Sequence, residues 1–279
     1  QYHLGTAKLL KKQISRRGEA QKYLLELADE QTVETVLMYY DYGASVCLSS
    51  QVGCSMNCAF CASAQGRIRN LTNGELLEQV LTAQREGQTR ISRLVLMGTG
   101  EPLENLEEVL KFLAKLPDLG ISLRHLTLST CGLVPGIEKL KAQNLPITLA
   151  ISLHAPEDQL RSRLMPINRR YPLAELLAAA DSYANSTKRR ITYEYIMLRE
   201  VNDRLEQAEQ LADLLRGRLA HVNLISYNPV QDKKFRPSEP TRINRFKAEL
   251  ERKGISVTVR RKLGLDIDAA CGQLRRRSK

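Results

Sequence analysis

Three cysteines at the spacing C-x-x-x-C-x-x-C are the most informative residues of this 279-residue chain: Cys54, Cys58 and Cys61. At this spacing their thiolates can converge on one inorganic cluster. A cubane [4Fe–4S] cluster has four irons, and cysteine thiolates normally cap all of them. Three ligands leave one iron open to a substrate, so the motif predicts a cluster that takes part in catalysis.

Structural zinc and disulfide bonds are the competing interpretations of these cysteines. Structural zinc takes four protein ligands, usually as two pairs of Cys or His, and the histidines are scattered at positions 3, 125, 154 and 221. A chain of this length buries a large core without disulfide staples. The sequence also lacks an apolar leader or membrane span. These observations favour a reducing, cytoplasmic compartment.

The charge of the chain is strongly basic. Lys and Arg number 42 against 31 Asp and Glu, which gives a formal net charge of +11. Such an excess favours a polyanionic partner, although a solvated basic surface is the alternative. RNA is favoured over a membrane because no basic amphipathic helix with a strong apolar face stands out. The cations cluster at residues 11–12, 16–17, 67–69, 161–170, 188–190, 260–262 and 275–277.

The elements that must position these residues alternate between short aliphatic runs and helical patterns, which predicts repeated β-α units and a parallel sheet. Six such units are too few for a closed eight-stranded barrel. They predict an α/β fold, a partial (β/α)6 barrel with its active site at the carboxyl ends of the strands. The predicted strands are 45–52, 93–98, 125–130, 147–152, 190–198 and 221–227, and the predicted helices are 73–87, 105–115, 135–143, 172–185, 203–217 and 241–253.

The N-terminal part of the chain has a different pattern. Residues 22–28 and 32–40 predict a β-hairpin that precedes the barrel. We therefore expect two domains. Residues 1–42 would hold a helical remnant and this β-hairpin, and residues 43–279 would form the barrel with a C-terminal catalytic loop.

Polar motifs follow five of the predicted strands. Turn chemistry explains one or two such motifs but explains five poorly. In the second motif, Gly98 and Gly100 allow close approach of the backbone to a ligand, and Glu101 can accept hydrogen bonds from a cationic ammonium group. The motifs are the cysteine loop, residues 98–102, Ser129 with Thr130, Ser152 to His154, and Asn228 with Pro229.

Three cysteines lie outside the cluster loop. Cys47 is on a predicted strand, where a small buried hydrophobic residue is the simple interpretation. Cys271 lies in a polar, glycine-containing segment, which predicts an active-site loop with a reactive thiol. Cys131 is assigned to packing.

Five segments, taken together, resemble the radical S-adenosylmethionine RNA adenine methyltransferases, the RlmN/Cfr family. They are QVGC at 51–54 with the rest of the cysteine loop, MGTGEPL at 97–103, LSTCG at 128–132, ISLHAP at 151–156 and DAACGQL at 268–274. The resemblance implies a [4Fe–4S] cluster on Cys54, Cys58 and Cys61. It also implies S-adenosylmethionine contacts, which carry over to Gly100, Glu101, Ser129, Ser152, Leu153, His154 and Asn228.

The resemblance also implies roles for three further residues. Cys271 would take a methyl group from one S-adenosylmethionine, and a radical made from a second molecule would activate that methyl group for addition to the adenine ring. Cys47 would then release the product by forming a disulfide with Cys271. Glu34 corresponds to the proton acceptor proposed in the family, although a lone Glu on a strand is usually solvated.

The implied substrates are an adenosine of 23S ribosomal RNA, methylated at carbon 2, and an adenosine of some transfer RNAs. An external electron donor is also implied, and the absence of heptads suggests a monomer. Three alternatives stay open. They are a carbon-8 methyltransferase of the antibiotic-resistance branch, a radical enzyme with a non-RNA substrate, and a noncatalytic RNA-binding protein.

Overall fold

The computed structural model describes residues 7–63, 68–230 and 233–274. The chain forms two compact units, the first from residues 1–55, 61–129 and 263–279 and the second from residues 56–60 and 130–262. Two of the predicted basic positions, Arg67 and the cluster at 275–277, lie outside the described residues. None of the helices in the described ranges is both long and apolar enough to cross a bilayer.

The first unit begins with antiparallel strands β1 (Lys8–Ile14), β2 (Ala20–Glu26), β3 (Thr32–Tyr40) and β4 (Gly43–Leu48). The predicted hairpin is therefore present as β2 and β3. The predicted helical remnant is wrong for residues 8–14, because β1 satisfies its backbone by pairing with β2. Its lysines and mostly exposed side chains are typical of a protected sheet edge.

The rest of the first unit builds parallel β-α units onto β4. Strands β7 (Ile91–Leu96) and β8 (Leu126–Thr130) continue the sheet in parallel, so the order in this unit is β1-β2-β3-β4-β7-β8. A capping box between Thr72 and Glu75 starts helix α1. The elements are β5 (Gln51–Val52), β6 (Arg69–Asn70), α1 (Asn73–Gly87), β7 (Ile91–Leu96), α2 (Leu106–Leu113) and β8 (Leu126–Thr130).

The second unit contains a parallel sheet of four strands in the order β9 (Thr148–Ser152), β10 (Ile191–Met197), β11 (Ala220–Ser226) and β12 (Val257–Val259). Its strands alternate with helices along the chain. The elements are α3 (Val134–Ala142), β9 (Thr148–Ser152), α4 (Asp158–Leu164), α5 (Leu173–Thr187), β10 (Ile191–Met197), α6 (Leu205–Leu215), β11 (Ala220–Ser226), α7 (Pro240–Arg252) and β12 (Val257–Val259).

The predicted α/β class is confirmed, since each unit combines parallel strands with helices. The predicted helix at 73–87 matches α1 residue for residue. Helix α4 was not predicted, because its seven residues are too short for a clear helical period. The domain boundary after residue 42 stays a prediction; β3 and β4, which flank it, pair directly with each other.

Candidate functional site

The glycine turn, residues 98–102, follows β7 and contacts the end of β4. Gly98 N donates to Leu48 O at 2.9 Å. A Cβ at position 98 would lie 2.7 Å from that oxygen, and a Cβ at position 100 would lie 2.7 Å from Gln51 N and Gln51 Cβ. Gly100 also has a φ of +109°. Glycine is therefore required at both positions. The atoms that come too close for a side chain are Leu48 O, at the end of β4, and atoms of Gln51.

Glu101 is held in a defined orientation within this turn. Its N–H donates to Gln51 Oε1 at 2.8 Å, and its Oε1 accepts from Leu103 N at 3.0 Å. The side chain is buried. Next to the turn, Ser50 Oγ is buried and has no hydrogen-bond partner within the part of the chain that the structure describes. Buried hydroxyl groups usually have a hydrogen-bond partner, and a polar ligand would supply one here.

The segment that carries Cys271 is tied to the residues that follow Cys61. Ala62 N donates to Gly272 O at 3.0 Å, and Ser63 Oγ donates to Leu274 O at 2.7 Å. Ser63 N also donates to the Sγ of Cys61 at 3.4 Å. Cys61 and the Cys271 segment, 210 residues apart in sequence, are therefore neighbours within the first unit.

Cys47 lies in the same neighbourhood. It is buried on β4 and belongs to an apolar cluster that also contains Ile267, Ala269 and Leu274. These residues lie on both sides of Cys271 in sequence. The interpretation of Cys47 as a buried small residue is correct, and its packing partners bring it to the Cys271 segment. The remaining members of the cluster are Ala20, Val36, Met38 and Leu263.

Glu34, the predicted proton acceptor, is not solvated, so the simple alternative for a lone Glu on a strand does not apply; its catalytic role stays a prediction. It is buried on β3, where Lys22 Nζ of β2 lies 3.1 Å from its Oε1. Lys22 Nζ also donates to Asp268 O at 3.1 Å. A buried charge requires a partner, so the opposite charge on the neighbouring strand explains the burial. Through Lys22, the carboxylate is linked to the segment that leads to Cys271.

In the second unit, His154 is fixed by three hydrogen bonds. Its Nδ1 accepts from Ile196 N at 3.1 Å, its carbonyl oxygen accepts from Asn202 Nδ2 at 2.8 Å, and its N–H donates to Glu194 O at 3.3 Å. Burial, and next the charge of Arg161, lowers the pKa of His154 to about 3. The imidazole is therefore neutral at pH 7, with its proton on Nε2.

Arg161 of helix α4 is completely buried. Its guanidinium donates to Cys131 O at 2.7 Å, to Ser152 O at 3.0 Å and to Leu153 O at 3.1 Å, and it also donates to Asn168 Oδ1 at 2.8 Å. Burial lowers the pKa of Arg161 to about 10, so it stays charged at pH 7. Its assignment to an exposed basic cluster is wrong. The planar guanidinium instead donates hydrogen bonds to backbone carbonyls at the ends of β8 and β9.

The predicted site residues divide between the units. Gly100, Glu101 and Ser129 belong to the first unit, together with Cys54 and Cys61, and the second unit holds Ser152, Leu153, His154, Asn228 and Cys58. Asn228, which follows β11, is buried. Cys58 belongs to a loop that is anchored where Ala59 N donates to Leu164 O at 2.8 Å.

The donor set of the cysteine loop fits an iron–sulfur cluster, because thiolates are the ligands that such clusters take. Asn57, within the loop, has a φ of 51°, a left-handed conformation that lets the chain turn tightly between cysteines. Over residues 7–63, 68–230 and 233–274, no three His, Cys, Asp or Glu side chains already surround a common metal position.

Sequence reasoning missed three residues that fix segments carrying predicted site residues, one in the first unit and two in the second: Lys22, Arg161 and Asn202. Each is a buried polar residue, and each reaches a backbone carbonyl of a segment that carries a predicted site residue. For Lys22 the sequence offers a signal once the strands are paired, because Lys22 and Glu34 are then diagonal neighbours of opposite charge on β2 and β3. The other two have no comparable local signal, because their partners lie on different elements.

Comparisons with known proteins agree with the fold and with the sequence motifs. The radical SAM superfamily model matches residues 48–215. Probable dual-specificity RNA methyltransferases RlmN are similar over almost the whole chain. The one from Desulforamulus reducens is 53% identical over 98% of this chain and 79% of its own length. The one from Symbiobacterium thermophilum is 55% identical over 95% of this chain and 74% of its own length.

A solved structure is similar as well. The crystal structure of a radical SAM methyltransferase from Sphaerobacter thermophilus superposes with a TM-score of 0.95 at 44% identity, covering 97% of this chain and 82% of that one. Members of this family use a [4Fe–4S] cluster and S-adenosylmethionine. The chain belongs to the RlmN family of radical SAM RNA methyltransferases.

Proposed function

We propose that this enzyme methylates carbon 2 of an adenosine in 23S ribosomal RNA and in transfer RNA, through an S-methylcysteine at Cys271. One observation carries the proposal: Cys47 packs against residues on both sides of Cys271 in sequence, which brings two thiols of different elements into one neighbourhood. The relatives that are named dual-specificity RNA methyltransferases support the RNA substrates. The net charge of +11 suits a polyanion.

The cofactors would be held by residues that the sequence motifs single out. Cys54, Cys58 and Cys61 would ligate the cluster. When bound, the cluster supplies the electron that cleaves S-adenosylmethionine to methionine and a hydrogen-abstracting 5′-deoxyadenosyl radical. Ser50 Oγ is a further polar atom suited to the cofactor, because it is buried beside the glycine turn. The residues assigned to S-adenosylmethionine are Gly100, Glu101, Ser129, Ser152, Leu153, His154 and Asn228.

Cys271 acts first, as a nucleophile. Its thiolate attacks the methyl carbon of one S-adenosylmethionine and forms a C–S bond to it, and S-adenosylhomocysteine is the leaving group. Carbon 2 of adenine is electron-poor and cannot itself attack a sulfonium methyl group. The methyl group is therefore first bound covalently to the protein, as S-methylcysteine at Cys271. After losing a hydrogen atom, the methyl carbon on Cys271 bonds to the ring carbon and joins protein and RNA.

Cys47 releases the product. Its thiolate attacks Sγ of Cys271 and breaks the bond between that sulfur and the methylene carbon, which leaves with the RNA and becomes the methyl group. Before this attack the ring proton passes to a base and the adduct gives up one electron, which the cluster, oxidised when it supplied the first electron, would take back. After the attack the methylene carbon takes up a proton and becomes the methyl group. Glu34 is the candidate proton acceptor, and Lys22 holds it beside the segment that leads to Cys271. The Cys47–Cys271 disulfide must then be reduced.

The remaining parts of the proposal concern the cell. An external electron donor reduces the cluster, and a cytoplasmic thiol system resets the disulfide. The enzyme acts as a monomer.

Mass spectrometry of the peptide that carries Cys271 tests the proposal. We expect a methyl increment on Cys271 after anaerobic incubation of the reconstituted enzyme with S-adenosylmethionine, and 2-methyladenosine in RNA after turnover. Cys47→Ala should accumulate covalent protein–RNA adduct, whereas Cys131→Ala, at a buried packing position, should turn over normally. If S-adenosylmethionine is cleaved while Cys271 stays unmethylated, the proposed route is wrong. If 8-methyladenosine is the only methylated product, carbon 8 is the target.

A further inference from the structure

An open cavity of about 390 Å³ lies in the second unit, where helices α6 and α7 begin. These helices follow strands β10 and β11, so the cavity is at the carboxyl ends of these strands. Asn228, assigned to the cofactor, follows the same strand end of β11. The side chains that line the cavity and carry charge are Asp203, Arg204, Glu206, Glu239, Arg242 and Arg245.

The cavity offers cations to an anionic ligand. Arg204 and Arg245 are exposed, and neither forms an ion pair with any residue in the described ranges. Of the carboxylates, Glu239 is paired with Arg199 at 3.0 Å, and Asp203 is paired with Arg242 at 3.2 Å. The N-termini of two helices, of 11 and 13 residues, add their positive ends. Glu206 is the one lining carboxylate of the described residues outside these pairs.

A second observation points to a ligand with a hydrogen-bond donor. Asp203 is completely buried, and its Oδ1 accepts from Glu200 N at 2.9 Å. Its Oδ2 is buried and has no hydrogen-bond partner among the described residues. A buried carboxylate oxygen is costly unless a donor reaches it. A metal ion is not the partner that the geometry favours, because the described carboxylates form no cluster able to hold one.

An anionic group beside a hydroxyl donor is the chemistry of a ribose-phosphate. We propose that this cavity binds the sugar-phosphate backbone of the RNA substrate, with a phosphate at Arg204 and Arg245 and the ribose 2′-hydroxyl at Asp203 Oδ2. The inference rests on the proposed function, since it names where that RNA is held. The 2′-hydroxyl is the group by which a protein distinguishes RNA from DNA.

The cavity is connected to the cofactor-binding segment by Asn202, the residue before Asp203. Asn202 Nδ2 donates to His154 O at 2.8 Å, and its Oδ1 accepts from Leu198 N at 2.7 Å. Asn202 is completely buried, and its carbonyl oxygen accepts from Tyr195 Oη at 2.7 Å. RNA bound at the cavity would therefore be held on a loop whose position is set by the His154 segment.

The test measures RNA affinity of the holoenzyme as a function of salt, for the double variant Arg204→Gln/Arg245→Gln. The matched control is Arg216→Gln/Arg252→Gln, which removes two exposed arginines at the opposite ends of the same helices. We expect the cavity variant to bind a substrate RNA about tenfold more weakly. The slope of log affinity against log salt should fall by roughly 0.7, the contribution of the one phosphate contact that the double variant loses. The control should bind as the wild type does.

Asp203→Asn tests the hydroxyl contact. This variant keeps the shape of the side chain and the Oδ1 acceptor but removes the charge. We expect the preference for RNA over single-stranded DNA of the same sequence to fall about fivefold, with the thermal unfolding midpoint used to confirm that the variant is folded. An unchanged preference in the folded variant would overturn the assignment of Asp203.

Failure of this inference can be told apart from failure of the proposed function. If the cavity variant binds and methylates RNA as the wild type does, or if the control loses as much affinity, the cavity is not the RNA site and the proposed function is unaffected. If the wild type binds RNA but methylates none, the proposed function fails. In that case, weaker RNA binding by the cavity variant than by the wild type and the control variant would still support the cavity as the RNA site.

Discussion

Lys22 Nζ lies 3.1 Å from Glu34 Oε1, and both side chains are almost completely buried. The pair joins β2 to β3, and the bond from Lys22 to Asp268 O extends it to the segment that carries Cys271. The proposed proton acceptor is thus linked through one lysine to the segment that carries the proposed nucleophile.

The buried pair predicts a large effect when one partner is removed. Lys22→Met leaves an uncompensated carboxylate, and we expect it to lower the free energy of unfolding by about 3 to 5 kcal/mol. The double variant Lys22→Met/Glu34→Leu should recover much of that loss, because neither charge remains buried. Urea unfolding of the three proteins measures both effects. Lys111→Met, at an exposed ion pair, is the control and should change little. A double variant as unstable as Lys22→Met would show that the charge is not the cause.

The buried guanidinium predicts a role for Arg161 in positioning the cofactor-binding segment. Arg161→Lys keeps a positive charge but cannot reproduce the fork that reaches Ser152 O and Leu153 O. We expect weaker binding of S-adenosylmethionine, by about tenfold, and a loss of about 1 to 3 kcal/mol in the free energy of unfolding from the orphaned carbonyls.

Calorimetric titration and urea unfolding check the two effects. Arg163→Lys, on the exposed face of the same helix, should leave both quantities unchanged. Affinity in Arg161→Lys equal to that of the wild type would remove Arg161 from the list of positioning residues.

The neutral state of His154 predicts a pH dependence of stability. Its pKa is about 3 in the folded protein, lowered by burial and then by Arg161, against about 6.5 in the unfolded chain. Between these values the unfolded chain takes up a proton that the folded protein does not. The stabilisation is therefore complete above pH 6.5 and is lost as pH falls toward 3, by up to about 1.4 kcal/mol per pH unit.

Unfolding of the wild type and of His154→Asn at pH 7.5, 6.5, 5.5 and 4.5 measures this contribution as a difference between the two proteins. Carboxylates titrate in both and cancel. Parallel stability curves for the two proteins would contradict a depressed pKa at His154.

The glycine turn predicts that Gly100 tolerates no side chain. In Gly100→Ala the new methyl would lie 2.7 Å from Gln51 N, on a residue with a φ of +109°. We expect a loss of about 1 to 3 kcal/mol in the free energy of unfolding, together with loss of S-adenosylmethionine binding, because the turn must move. Gly74→Ala is the matched control.

Gly74 lies in the first turn of helix α1, where the contact nearest to an added Cβ is 3.7 Å. That substitution should stabilise the protein slightly, by about 0.5 to 1 kcal/mol. Unfolding and ligand titration distinguish the two variants. Normal binding by Gly100→Ala would show that the turn can adjust.

The sequence by itself determined the parts of this protein that depend on local pattern. The sequence shows the C-x-x-x-C-x-x-C spacing directly. It also predicted the bounds of α1 and the placement of polar motifs after strand ends. Short-range periodicity and the direction of β-α units are sufficient for these. The pattern failed at β1, because an exposed strand rich in lysine and leucine has the composition of a helix as well.

Only the tertiary structure decided which polar residues are buried and what they hold. Lys22 reaches a carbonyl 246 residues away, and Arg161 gathers Cys131 O with Ser152 O from separate strand ends. The sequence around each suggests a surface charge. Whether a charge can be buried depends on partners that strand pairing and chain crossing bring within about 3 Å, and no local pattern encodes that distance.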